Sequence, residues 1–271
     1  MTDNADSYLQ SLLVTVPLRE PSLRAAVDAI PPATGSRGID VGCGIGTFTQ
    51  MLAESVGTDG HVTGLDVSRE FLDYASDLAK DTGLSERLSF RQGSASRIPF
   101  DDRSFDWAWS VDCVGYGTSD SVTLIGEMAR VVRPGGVVAI LAWASERLLP
   151  GFPRLEARLG ATAAGLAPFK ATMSEDMHLS RGIGWFRKAG LLTPSAKALA
   201  GSAHAPLTDA LRAALKALIE MRWPGVEQDL DEEDRLEFNR LCDPQSPEYI
   251  LDHPDYYAFF NYTLLWGAVA Q

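Results

Sequence analysis

The sequence predicts an α/β protein built on a doubly wound, mostly parallel sheet. Three observations predict it. Apolar stretches of strand length alternate with helical stretches from residue 37 to residue 143. A glycine-rich turn, Gly42 to Gly46, follows the first of these strands. Hydrophobic residues make up 45% of the 271 positions, enough for a sizeable core.

The elements follow in order. Residues 6–16 and 22–30 read as two amphipathic helices, divided by Pro17 and Pro21, with Pro31-Pro32 stopping the second. Residues 37–41 form a buried strand and 47–56 a helix. Residues 61–65 are a second strand, 68–80 a helix, 87–92 a third strand and 104–111 a fourth. Residues 119–132 are a helix closed by Arg133-Pro134-Gly135-Gly136, and 137–143 a fifth strand. Periods of this kind build βαβ units with helices on both sheet faces. Beyond residue 148 the pattern weakens. A helix at 181–189 stops at Gly190, and 191–199 reads as a strand. Thr208 caps a strongly amphipathic helix at 209–222. A helix at 231–241 opens with acids that suit its N-terminal dipole, and 262–270 reads as a last strand.

Composition narrows the function. The formal net charge is −12, which repels nucleic acid and anionic lipid, so neither partner is expected and a neutral or cationic small molecule fits better. No run of about 18 apolar residues spans a membrane, and residues 1–18 lack the basic start of a signal peptide. Three scattered cysteines, Cys43, Cys113 and Cys242, provide neither a disulfide framework nor metal-ligand spacing. A cytoplasmic protein without metal is expected, and a homo-oligomer is allowed.

The chemistry starts at Gly38-Ile39-Asp40-Val41-Gly42-Cys43-Gly44-Ile45-Gly46-Thr47-Phe48. Glycines between a strand and a helix let a ligand approach the main chain. A nicotinamide fingerprint needs a third glycine where Thr47 stands. Asp40, two residues before the first glycine, would repel a pyrophosphate. It suits a ligand carrying an ammonium and a sulfonium and no phosphate, as S-adenosylmethionine does. Asp66 ends the next strand, where an acid reaches two ribose hydroxyls; capping the following helix is its structural alternative.

With these residues in view, the chain resembles the class I S-adenosylmethionine-dependent methyltransferases of the ubiquinone/menaquinone-biosynthesis-like type. The resemblance rests on residues 39–46, Gly64-Leu65-Asp66-Val67-Ser68, Gly93-Ser94-Ala95 with Ile98-Pro99-Phe100, Phe105-Asp106, and Arg130-Val131-Val132-Arg133-Pro134-Gly135-Gly136. It is strong over residues 35–143. It implies a Rossmann-like, seven-stranded sheet whose last strand is antiparallel. Asp40, Gly42, Cys43 and Gly44 would hold the methionine part of the cofactor. Asp66 would bind the ribose and Val67 would pack on the adenine. Ser94 and Ala95 would face the adenine amine, and Ser110 would lie beside the sulfur. Ser94 stands where the family usually carries an acid. Gly115-Tyr116 stands where many relatives carry a histidine.

The resemblance also implies a domain plan. Residues 1–34 are N-terminal helices contributing to a helical lid, 35–143 the cofactor-binding core and 144–180 an insertion of the lid. Residues 181–201 are a core helix and the sixth strand, 202–258 a second insertion of the lid, and 259–271 the final strand. The carboxyl ends of strands in such folds bind ligands. Asp112, Tyr116 and His178 are therefore the candidates for catalysis, and Tyr8, Tyr116 and His178 for the substrate. The aromatic group Tyr249, Tyr256, Tyr257, Phe259, Phe260, Tyr262 and Trp266 reads as core or as pocket wall. The expected activity is methyl transfer to a small organic acceptor. Cofactor binding with rearrangement chemistry or without catalysis is the alternative, and a nicotinamide oxidoreductase is the weaker one.

Overall fold

The computed structural model describes residues 2–116, 120–170 and 173–271, without the side chains of residues 2–7. Residue 119, the expected start of a helix, lies outside the described residues.

In chain order the elements are α1 (Thr2–Ala29), β1 (Arg37–Val41), α2 (Thr47–Val56), β2 (His61–Asp66), α3 (Arg69–Asp81), β3 (Leu88–Gln92), β4 (Phe105–Val111), α4 (Ser121–Val131), β5 (Val132–Arg147), α5 (Pro153–Ala161), α6 (Ala163–Leu166), α7 (Gly182–Lys188), β6 (Leu192–His204), α8 (Asp209–Arg222), α9 (Glu232–Cys242) and β7 (Tyr257–Ala268). The seven strands lie in the order β3-β2-β1-β4-β5-β7-β6. Strands β1 to β5 pair in parallel. The order reverses between β1 and β4, the switch point where α/β sheets open a crevice.

Contacts divide the chain into two compact units. One comprises Met1–Ser22, Ala144–Met173 and Ala200–Asn261; the other comprises Leu23–Trp143, Ser174–Leu199 and Tyr262–Gln271. In the first, Arg222 donates to Glu146 and to the carbonyls of Ala164 and Gly165, tying α8 to α6. Buried Tyr256 donates to the Leu148 carbonyl. The second holds β1 to β4 and a core around Ile39, Val41, Leu65, Ile140 and Phe186.

Two expectations are corrected. The prolines do not divide two helices: α1 runs unbroken through Pro17 and Pro21. Each proline removes a backbone donor and costs about 3 kcal/mol in a helix interior. Burial of Leu18, Leu23, Ala26 and Val27 on the same helix offsets that cost. The segment Arg133-Pro134-Gly135-Gly136 is not a turn after α4 but the start of β5. The ladder jumps there from Phe105↔Val132 to Trp107↔Val137, a bulge that Gly135 absorbs at φ +80°. Gly135 N–H donates to the Val269 carbonyl and Val269 N–H to the Gly136 carbonyl, so the bulged stretch stays hydrogen-bonded. β6 and β7 are also longer than the predicted strands, reaching His204 and starting at Tyr257.

Candidate functional site

β1 and β2 run in register, Val41 opposite Leu65, so the turns after both strands leave the sheet together. The Leu65 carbonyl accepts from Gly42 N–H at 2.7 Å and Cys43 N–H at 3.0 Å, which folds the glycine turn back over β2. Gly42 has φ +77°, and a Cβ there would lie 2.4 Å from Cys113 Sγ. Gly42→Ala is therefore expected to cost about 2–4 kcal/mol, the left-handed backbone penalty plus an overpacked contact. Chemical denaturation reads this; an unchanged midpoint contradicts the packing. Gly44 differs. Its φ is +53°, yet a Cβ would meet nothing within 4 Å, so the turn's backbone borders open space at that residue.

Asp40 is 1% exposed. Its Oδ2 accepts from Thr49 Oγ1 at 2.7 Å, on the first helical turn after the glycines, while its Oδ1 has no hydrogen-bond partner. Burial pushes the carboxyl pKa up to about 7; the Thr49 bond opposes the shift and the Asp66 charge adds to it. Asp66 closes the next strand. Its Oδ2 accepts from Gly44 N–H and its Oδ1 from Ser68 N–H, both at 2.9 Å. One carboxylate thus clamps the glycine turn to the start of α3, whose N-cap is Ser68. Each oxygen keeps acceptor capacity beyond its one amide.

Val67, next in sequence, is an uncovered apolar side chain, 66% exposed. Ser94 is exposed, and its hydroxyl shares a hydrogen bond with Ser96; Ala95 packs against the core. Ser110 is buried and donates to the Val41 carbonyl at 2.7 Å, stapling β4 to β1. Burial, with the charges of Asp40 and Asp66, pushes the Cys43 thiol upward. Burial likewise raises Cys113 to about 11. Both thiols stay protonated at neutral pH, which suits packing and not nucleophilic attack.

The structure brings Asp112 and Tyr116 together on one residue. Asp112 Oδ1 accepts from Trp143 N–H at 2.9 Å, and the Tyr116 hydroxyl donates to the Trp143 carbonyl at 2.7 Å. The segment carrying His178 lies alongside, since Leu179 and Trp185 are the neighbours of Gly115. His178 itself is exposed and caps a short turn, its Nδ1 accepting from Ser180 N–H. Tyr8 lies on the part of α1 that belongs to the other unit and is 51% exposed. Sequence reasoning missed Thr49 and Trp143 as site residues and left Tyr262 between core and pocket wall. Tyr262 carried a usable signal, because a phenol in a buried apolar strand needs a hydrogen-bond partner.

A separate groove gathers Arg91, Arg97 and Arg130, a grouping the linear sequence hides. Arg130 is neutralised there by Glu127 and Asp102.

The family model described as "Methyltransferase domain" matches residues 39–136. The demethylmenaquinone methyltransferase of Staphylococcus epidermidis is 37% identical over 124 residues, covering 45% of this chain and 48% of the relative. The methyltransferase GfsG of Streptomyces halstedii is 39% identical over 108 residues, covering 40% and 38%. The chain thus spans about half the length of the curated relatives it matches. Among solved structures, the YcgJ protein of Bacillus subtilis superposes with a TM-score of 0.57 at 20% identity, covering 93% of this chain and 99% of that one. That likeness establishes a shared fold.

Proposed function

We propose that the chain is a methyltransferase of the class I type, which binds S-adenosylmethionine and transfers its methyl group to a small organic acceptor; the match of residues 39–136 to a methyltransferase domain supports this. One observation carries the reading: two carboxylates of different character end adjacent parallel strands around a glycine turn. Asp40 has a buried, unpartnered oxygen suited to the ligand's ammonium. Asp66 has acceptor capacity for vicinal sugar hydroxyls. Val67 offers an uncovered apolar surface to a purine. Gly44 leaves the main chain approachable. A pyrophosphate would meet the charges of both acids, which disfavours a dinucleotide.

When bound, the cofactor supplies an already activated methyl carbon. The chain's own contribution is then alignment and the exclusion of water. Alignment alone is worth up to about 7–11 kcal/mol in ideal cases. No conspicuous base is required. The acidic chain favours a neutral or cationic acceptor over an anionic one. Among the described residues no helix is long and apolar enough to cross a membrane. The three cysteines are free thiols, which fits a reducing cytoplasm.

Calorimetric titration with S-adenosylhomocysteine and, in parallel, with NAD tests the cofactor. The first is expected to bind at micromolar concentration and the second not at all. Incubation with S-adenosylmethionine and a panel of phenols, naphthols, amines and aliphatic alcohols, followed by mass spectrometry, tests the transfer. Methylated product together with S-adenosylhomocysteine supports it. Binding of NAD in place of the sulfonium nucleoside overturns the reading.

A further inference from the structure

The β4–β5 ladder ends at Val111↔Leu141, yet β5 continues to Arg147. The cause is Asp112, whose backbone turns away at φ +48°, a left-handed conformation that is uncommon for a residue with a side chain. Its N–H still reaches the Leu141 carbonyl at 2.9 Å. Beyond that point side chains take over. Asp112 Oδ1 accepts from Trp143 N–H, and Tyr116 donates to the Trp143 carbonyl. These are the two backbone groups that a longer β4 would have paired. The other carboxylate oxygen, Oδ2, accepts from the Tyr262 hydroxyl at 3.2 Å, across 150 residues of sequence. Tyr262 is fully buried, and its ring meets Trp143 edge-on, centroids 5.3 Å apart at 78°.

We propose that Asp112 is a positioning residue: with Tyr262 behind it, its carboxylate stands in for the missing strand and pins the start of the turn after β4 to β5 at Trp143. The relevance of that turn to an acceptor rests on the methyl-transfer reading; the geometry does not. Both carboxylate oxygens receive donors from within the protein, one from β5 and one from Tyr262, which is what a positioning role requires.

Three variants test this, read by amide hydrogen exchange at Trp143 and by turnover in the acceptor panel. Asp112→Ala is expected to speed exchange at the Trp143 amide at least tenfold and to lower kcat more than it changes cofactor affinity. Asp112→Asn should recover most of both losses, because its carbonyl accepts from Trp143 N–H and its amide donates to the Tyr262 oxygen. Tyr262→Phe should fall between the two. The proposal is overturned if Asp112→Ala leaves Trp143 protection unchanged. It is equally overturned if Asp112→Asn keeps that protection but is as inactive as Asp112→Ala and loses the acidic limb of the pH profile, the fall in rate at low pH that marks protonation of a base. Failure of the methyl-transfer reading is distinct: the parent chain would then neither bind S-adenosylhomocysteine nor turn over, while the exchange results would still stand on their own.

Discussion

Asp40→Asn is expected to stabilise the ligand-free protein above neutral pH while weakening its cofactor, two changes of opposite sign from one substitution. Burial raises the folded-state pKa of Asp40 from 3.8 to about 7. Between those values the folded protein holds a proton that the unfolded chain has released. Stability therefore falls as pH climbs through that window and levels off above it. Each unit is worth about 1.4 kcal/mol, so the full loss is on the order of 4 kcal/mol. Asparagine has no such titration, and its carbonyl can still accept from Thr49. The variant's melting temperature should exceed the parent's at pH 8 and approach it near pH 4. Its affinity for S-adenosylmethionine should drop about tenfold or more, since the ammonium loses a charged partner. In the parent, affinity should rise from pH 6 to pH 8, because the cation favours the ionised acid. Thermal melts and calorimetry across that range read all three. A variant that melts lower than the parent at pH 8 would contradict the burial argument.

Asp66→Ala is expected to cut binding and stability together. It removes the acceptor proposed for two sugar hydroxyls and orphans the Gly44 and Ser68 amides that the carboxylate now holds. Hydrogen bonds to a charged group are worth about 1.5–3 kcal/mol, so the dissociation constant for S-adenosylhomocysteine should rise about 10- to 150-fold. The unpaired amides should remove a further ~1–3 kcal/mol of folding stability. Ser68→Ala is the control. It deletes the α3 cap at about 1 kcal/mol and should leave affinity near that of the parent. If Asp66→Ala loses stability only as Ser68→Ala does and binds normally, Asp66 is a capping residue and nothing more.

What the sequence made legible and what it hid divide along the range of the interactions. The glycine turn, Asp40 and Asp66 stand out because strand, turn and helix are neighbours in sequence, and each constraint is written within a few residues. Helices α2 and α8 match their predicted bounds for the same reason: apolar periodicity and flanking signals are local. Pro17 and Pro21 misled because burial along α1 outweighs a local penalty. The Arg133-Pro134-Gly135-Gly136 segment misled because its hydrogen bonds go to Val269, at the far end of the chain. The commitments of Asp112 were hidden likewise. Its position after β4 marked it as a candidate base, but the Trp143 and Tyr262 partners that claim both its oxygens lie 31 and 150 residues away.

A crystal structure of the chain soaked with S-adenosylhomocysteine tests the whole account at once. The ligand's sugar hydroxyls should lie within hydrogen-bond distance of Asp66, with its amino group beside Asp40 Oδ1 and its purine over Val67. Density for the ligand elsewhere in the molecule, with both carboxylates untouched, would contradict it.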